Sequence, residues 1–193
     1  MSKKKPLIVF EGIEGTGKST LIKYIGNYLK KNNISFIKIR EPGGNRNSEL
    51  IRKLILSKKN NFNSFTDLML YFAARSENVE KLVSKHYDKK ILLIDRFADS
   101  TLAYQGAGRN LDINILDRMN KFATYNLNPD ITFLIDLSSK IATKRQGNIN
   151  LDRIEKIGDN FQEKVRKQYL KLALDKANRF IVLDGTLSIE TIH

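Results

Sequence analysis

Eight residues near the start of the chain, Gly12-Ile13-Glu14-Gly15-Thr16-Gly17-Lys18-Ser19, carry the spacing G-x-x-x-x-G-K-[ST]. That spacing builds a loop that binds phosphate. Gly12, Gly15 and Gly17 let the backbone bend until several N–H groups point at one anion. The apolar run Leu7-Ile8-Val9-Phe10 precedes the loop, and a helical pattern opening at Thr20-Leu21-Ile22 follows it. A strand delivering the loop and a helix leaving it are the context the motif needs, and the positive helix end favours the same anion. Gly12 through Thr20 are therefore expected to hold a nucleoside triphosphate. Lys18 would reach its β- and γ-phosphates, and the Ser19 hydroxyl would sit on Mg²⁺.

Two other segments carry chemistry. In Ile91-Leu92-Leu93-Ile94-Asp95-Arg96, an aspartate ends a buried run and an arginine follows it. Asp95 is placed to hold the Mg²⁺ shell through water, and Arg96 offers a planar fork that matches a phosphate. Tyr71 and Arg75 lie four apart in a helical pattern, so they share one face. An aromatic ring and a guanidinium together read a nucleobase, by stacking and by bonding a carbonyl. Phe72 is adjacent, and the choice between Tyr71 and Phe72 stays open at this point. The two histidines, His86 and His193, have no partner pattern for catalysis or metal binding.

The elements that must position these residues alternate between two periods. Leu7–Glu11, Ser35–Ile39, Ile91–Asp95, Ile131–Asp136 and Phe180–Leu183 are short apolar runs, each expected to be a strand buried on both faces. Helical spacing covers Phe65 to Val83 and Asp159 to Ala177. Strands alternating with helices predict an α/β fold: a parallel sheet of about five strands with helices on both faces, in three layers. Ligands should gather at the carboxyl ends of the strands. With no repeat and no convincing linker, residues 1–193 are expected to form a single domain. The chain has no cysteine, which suits a reducing cytosol. No apolar run approaches the roughly 20 residues that span a membrane. The net charge of +13 suits anionic partners, although lysine runs such as Lys58-Lys59 are expected to be solvated faces.

Five segments in order give the chain a resemblance to the thymidylate kinase family. They are Phe10 to Thr20, Arg40-Glu41-Pro42-Gly43-Gly44, Phe72-Ala73-Ala74-Arg75, Asp95-Arg96-Phe97 with Ser100, Ala103, Tyr104 and Gln105, and Leu151-Asp152-Arg153-Ile154-Glu155. The resemblance implies a phosphate-loop kinase fold and ATP-dependent phosphorylation of dTMP to dTDP with Mg²⁺, in a homodimer. It implies that Glu14 binds the acceptor's 3′-hydroxyl and that Arg75 bonds the base beside a stacking aromatic. Arg52 would lie near the acceptor phosphate, whereas Arg40 has the option of pairing with an acid. Ser100, Thr101, Tyr104 and Gln105 would face the sugar and base, with Tyr104 excluding a 2′-hydroxyl by bulk. Residues 144–153 would be a mobile lid, with Arg145 and Arg153 as the cations covering the transferring phosphate. That lid is poorer in arginine than in relatives whose phosphate loop, like this one, lacks a basic residue in its variable part.

Two other functions would draw on some of the same residues. A nucleoside kinase would need a general base for a neutral hydroxyl, for which Asp95 or Glu11 would serve. The many arginines instead suit an acceptor that is already phosphorylated. A basic nucleic-acid-binding ATPase would need aromatics interleaved with cations as a stacking platform, and no segment supplies one, so no nucleic-acid partner is expected.

Overall fold

A computed structural model describes residues 4–147 and 157–192. Five parallel strands form one sheet in the order β2-β3-β1-β4-β5: β1 (Leu7–Glu11), β2 (Phe36–Arg40), β3 (Ile91–Asp95), β4 (Ile131–Asp136) and β5 (Phe180–Asp184). The register sets Phe10 beside Asp95 and Phe133, and Arg40 beside Asp95. Five parallel strands therefore end on one edge, where Glu11, Arg40 and Asp95 stand close together.

The expectation that every strand is buried on both faces fails at the two edges. β1 and β3 are nearly all buried, but Ile181 and Val182 of β5 are 44% and 48% exposed, and β2 is mostly half-exposed. An apolar run records what a strand is made of and not how many neighbours it has. Strand bounds differ from the sequence reading by one residue, since β2 starts at Phe36 and both edge strands end on a polar residue, Arg40 and Asp184.

Helices cover both faces. On one side α1 (Lys18–Lys31) packs Leu21, Ile22 and Leu29 against Phe10, Leu93 and Ile135. On the other lie α3 (Ser64–Asn78), α6 (Ile113–Ala123) and α8 (Asp159–Asp175), which contributes Phe161, Val165 and Tyr169 to a core with Leu134. α3 starts where the Asn63 side chain accepts the Phe65 and Thr66 N–H groups. After Asn78 it widens into a π-helical turn, Val79–Val83, and ends in α4 (Ser84–His86). The remaining helices are α2 (Arg46–Leu56), α5 (Ala98–Thr101), α7 (Ser139–Gln146) and α9 (Ile189–Ile192). α5 runs into a second π-helical turn, Leu102–Gly108.

α5 carries Ser100 and Thr101, and a buried acid fixes it. Asp99 accepts Lys176 Nζ at 2.9 Å and Arg179 NH2 at 2.7 and 2.9 Å, and Arg179 also donates to Thr132 on β4. These bonds fasten the turn after β3 to the end of α8 and to β4. Asp99→Ala would strand both cations, at a cost of about 3 kcal/mol. Chemical denaturation should show that loss, with Asp99→Asn intermediate. An unchanged midpoint in a folded Asp99→Ala protein would remove these pairs from the account of stability.

Candidate active site

The phosphate loop joins β1 to α1. Its glycines adopt left-handed or otherwise positive φ values, 137° at Gly12 and 77° at Gly15. A Cβ at Gly12 would lie 2.6 Å from the Ile135 carbonyl oxygen, and one at Gly15 would lie 2.5 Å from that of Ala142 on α7. Only glycine lets the loop pass between β4 and α7. Gly17 caps α1 with no side-chain hydrogen bond, which leaves the first N–H groups of the helix for an anion. Ile13 is buried in the core and Thr16 Oγ1 donates to its carbonyl, so these two offer a ligand mainly their backbone. Lys18 is 6% exposed, and its Nζ donates to the Gly12 and Ile13 carbonyls at 3.0 and 2.7 Å. Burial, with Arg96 nearby, pushes the Lys18 ammonium below its usual pKa.

β3 delivers Asp95 and Arg96. Asp95 Oδ2 accepts the Ser19 hydroxyl at 3.3 Å, so the two expected Mg²⁺ contacts adjoin. Arg96 takes a left-handed backbone, φ 66°, costly for a residue with a Cβ. Its N–H continues the sheet to the Phe10 carbonyl. Its guanidinium donates to the Gly12 carbonyl at 2.9 Å and to Glu14 Oε1 at 2.5 Å, and lies 5.0 Å from the Tyr104 ring centre. Partial burial raises the Glu14 carboxyl, but the Arg96 and Lys18 charges outweigh this and hold it at about 2.

These groups open into a cavity of about 520 Å³. Its walls bring together Glu14, Gly15, Gly17, Lys18, Ser19 and Thr20 of the loop with Asp95 and Arg96 of β3. Arg52, Tyr71 and Arg75 enter from α2 and α3, and Ser100, Thr101, Tyr104 and Gln105 from the segment after β3. Of the two aromatic candidates, Tyr71 lines the cavity. Phe72 does not: it is 7% exposed, inside the core beside Leu68. Arg40, expected either at phosphate or with an acid, makes three bonds of 2.9–3.2 Å to Glu49. Arg52 donates to the Pro42 carbonyl at 2.7 Å.

Arg145 lines this cavity and also a neighbouring one of about 360 Å³ between the phosphate loop and Leu187. It donates to the Gly185 carbonyl at 2.7 Å, in the turn after β5. Of the expected lid, residues 144–147 are described; Arg153 lies outside the described residues.

Three residues outside the sequence assignment shape the floor. Glu11, fully buried, accepts the Phe97 N–H, Ser100 Oγ and the Tyr169 hydroxyl at 2.9, 2.6 and 2.8 Å. Burial raises its pKa despite Arg96. Tyr169 of α8, which reads as a core position by its spacing, also accepts from Arg96 at 3.3 Å. Glu41 binds Arg75 Nε at 2.7 Å, and burial pushes its carboxyl up against that pull. The Tyr104 hydroxyl, buried on the cavity wall, has no hydrogen-bond partner among the described residues.

A sequence model of the family described as Thymidylate kinase matches residues 10–193. The chain belongs to the thymidylate kinase family. It is 44% identical over 186 residues to the thymidylate kinase of Thermosipho africanus, covering 96% of this chain and 92% of that one. With the thymidylate kinase of Fervidobacterium nodosum it shares 43% over 187 residues, 96% of this chain and 93% of the other. The crystal structure of thymidylate kinase from Ehrlichia chaffeensis superposes with a TM-score of 0.80 at 30% identity, covering 97% of this chain and 90% of that one. The likeness therefore extends over both cavities and not the phosphate loop alone.

The Glu14–Arg96 pair gives this site a pH signature. Glu14 is held at about 2 when folded, below its value of about 4.3 in an unfolded chain. Its stabilising contribution is complete above the unfolded value and is lost as pH falls toward 2. The unliganded protein should therefore melt higher than Glu14→Gln at pH 6, and the gap should close between about pH 4 and 2. A gap of the same size at pH 3 and pH 6 would show that Glu14 stabilises by some other means.

Proposed function

We propose that the chain transfers the γ-phosphoryl group of ATP to the phosphate of dTMP, forming dTDP and ADP. The observation that carries this reading is one cavity shared by the phosphate loop, the Arg96 fork and the Tyr71–Arg75 face, with a second cavity directly across the loop. ATP phosphates would lie on the loop with the adenine in the second cavity, and dTMP would fill the first.

The reaction needs two anions in line and charge neutralised between them. An oxygen of the dTMP phosphate forms the new bond to the γ-phosphorus. The bond to the β–γ bridging oxygen breaks, and ADP leaves with that electron pair. No general base is required, because the attacking oxygen is already an anion. Lys18 would leave the Gly12 and Ile13 carbonyls to meet the donor phosphates. Arg96 would hold the acceptor phosphate, with Arg52 beside it. Glu14 would accept the 3′-hydroxyl, and Tyr104 would leave no room for a 2′-hydroxyl. Tyr71 would stack on thymine while Arg75 bonds a base carbonyl. Ser19 and Asp95, two hard oxygen donors 3.3 Å apart, fit Mg²⁺ held mostly by water and phosphate. When bound, that ion neutralises charge on the transferring oxygens. The bond of Arg145 to Gly185 supports a donor-side role for it, at the boundary of the two cavities.

Release of ADP on adding dTMP, with and without Mg²⁺, is the direct assay. Lys18→Ala should abolish turnover. Arg96→Ala should raise the dTMP KM and lower kcat, a loss of about 2–4 kcal/mol where water is excluded. Arg145→Ala should lower kcat/KM for ATP by about tenfold and leave the dTMP KM nearly unchanged. Near-normal dTMP turnover in a folded Arg96→Ala protein would remove Arg96 from the acceptor site.

The chain is further proposed to work in the cytoplasm and as a homodimer. No helix among the described residues is long and apolar enough to cross a membrane. Neighbouring helices carry exposed apolar pairs at helical spacing: Leu50 and Leu54 on α2, Phe65 and Met69 on α3, Ile115 and Phe122 on α6. Covering them would remove apolar surface from water. Sedimentation should give a two-chain mass that falls to one chain in a Phe65→Asp, Phe122→Asp double variant. A one-chain mass for the unaltered protein would sink the dimer.

A further inference from the structure

Arg75 is 2% exposed, yet it lines the cavity. Most of its hydrogen bonds point into the protein. Nε donates to Glu41 at 2.7 Å, and NH2 donates to the Phe97 carbonyl at 2.9 Å. NH1 donates to both Thr101 Oγ1, at 2.6 Å, and Asn120 Oδ1, at 2.7 Å. A guanidinium has five N–H donors in one plane. Four are committed among the described residues, so one NH2 hydrogen remains. Because all three nitrogens are pinned, the direction of that last N–H is fixed.

Among the pinning side chains, Glu41 and Thr101 line the cavity themselves, whereas Asn120 does not. Asn120 sits on α6, 3% exposed. Its Oδ1 faces Arg75, and its Nδ2 donates to the Ala98 carbonyl at 2.9 Å. That second bond settles which way the amide points. An Nδ2 turned toward the guanidinium would set donor against donor, and would set Oδ1 against the Ala98 carbonyl oxygen. Asn120 therefore ties Arg75 to the turn that carries Ser100 and Thr101, without itself lining the cavity.

We propose that Asn120 is a positioning residue for base recognition, holding Arg75 so that its remaining N–H meets the position-4 carbonyl of thymine. The inference rests on the reading of Arg75 as the residue that bonds the base. With Asn120 gone, a buried NH1 hydrogen loses its acceptor. The guanidinium can then regain a partner only by turning, and turning takes the last N–H off the carbonyl. A site built around one fixed donor rejects a base that presents an amine there, and a rotated donor rejects it less.

The test compares dTMP with 5-methyl-dCMP, which keeps the methyl and the 2-carbonyl but carries an amine at position 4. Initial rates with each acceptor, the ATP KM and thermal unfolding are measured for three proteins. The unaltered enzyme should prefer dTMP strongly. Asn120→Ala should raise the dTMP KM about tenfold, cut the preference over 5-methyl-dCMP by a similar factor, and leave the ATP KM unchanged. Asn120→Asp keeps an acceptor for NH1 but sets an oxygen against the Ala98 carbonyl. It should lose thermal stability while keeping the dTMP KM and the preference within about twofold. An Asn120→Ala protein that is less stable but equally selective overturns the inference and leaves the reading of Arg75 standing. So does a loss of selectivity in both variants that merely follows their loss of stability. An unaltered enzyme that uses both acceptors equally overturns the reading of Arg75, and the inference with it.

Discussion

The ion pair between Glu14 and Arg96 is the contact around which the cavity is organised. Arg96 is mostly buried, and a guanidinium removed from water costs several kcal/mol unless an acid or a ring of acceptors faces it. Here Glu14 supplies the charge at 2.5 Å, and Gly12 and Tyr169 supply acceptors. Three elements meet at this one side chain: the phosphate loop, the end of β3 and α8. The left-handed backbone at Arg96 follows from the same demand. Its N–H stays in the sheet on Phe10 while its side chain turns back over the loop. The energy of that conformation, about 1–2 kcal/mol, is offset by bonds that no other direction would give.

Beneath that pair, buried acids fix the segment that follows β3. Glu11 collects a backbone N–H and two hydroxyls from Phe97, Ser100 and Tyr169, while Asp99 takes Lys176 and Arg179. Glu41 takes Arg75. Each carboxylate joins residues far apart in sequence, so none of these bonds assists local folding. They are made only when the sheet and both helical layers have closed. The turn with Ser100 and Thr101 is thus held from β1, α8 and β5's approach at once, which is what a binding wall needs if it is to keep its shape.

The central fold was legible because its cause is local. β1, β3 and β4 announce themselves as apolar runs, and the phosphate loop by glycines that no other residue replaces at those φ values. The loop and the Asp95-Arg96 pair fell in one cavity for the same reason: parallel strands put their carboxyl ends together. What stayed hidden depends on partners. Ile181 and Val182 look like any buried strand until the sheet is seen to stop beside them. Tyr71 and Phe72 are one residue apart and about 100° apart around α3, and only packing shows that Tyr71 lines the cavity while Phe72 sits in the core. Tyr169 reads as one more core position, since helical spacing reports a face and is blind to a hydroxyl. Asn120 lies 45 residues from Arg75 in a helix with no motif. Arg145 was expected from the sequence as one of two lid cations over the transferring phosphate, and its bond to Gly185 could not be read there because it depends on where β5 ends.

In this conformation the cations of the site satisfy themselves. Lys18 lies on the loop's carbonyls, Arg96 on Glu14, Arg40 on Glu49 and Arg145 on Gly185. A phosphate entering such a site exchanges partners with them and does not simply gain new ones. Each exchange returns only the difference between a phosphate oxygen and the group it displaces, so charge count overstates affinity. The difference is largest where the displaced partner is a neutral carbonyl, as at Lys18 and Arg145. It is smallest where the partner is a carboxylate, as at Arg96 and Arg40. Glu14 adds a further condition. Its charge opposes any anion beside Arg96 unless a donor hydroxyl turns toward it. A ligand that brings phosphate to Arg96 and a hydroxyl to Glu14 together satisfies both members of the pair, whereas a bare phosphate satisfies one and repels the other. On the roles proposed for them, the same two side chains that pair in the unliganded cavity would favour a phosphorylated sugar over inorganic phosphate.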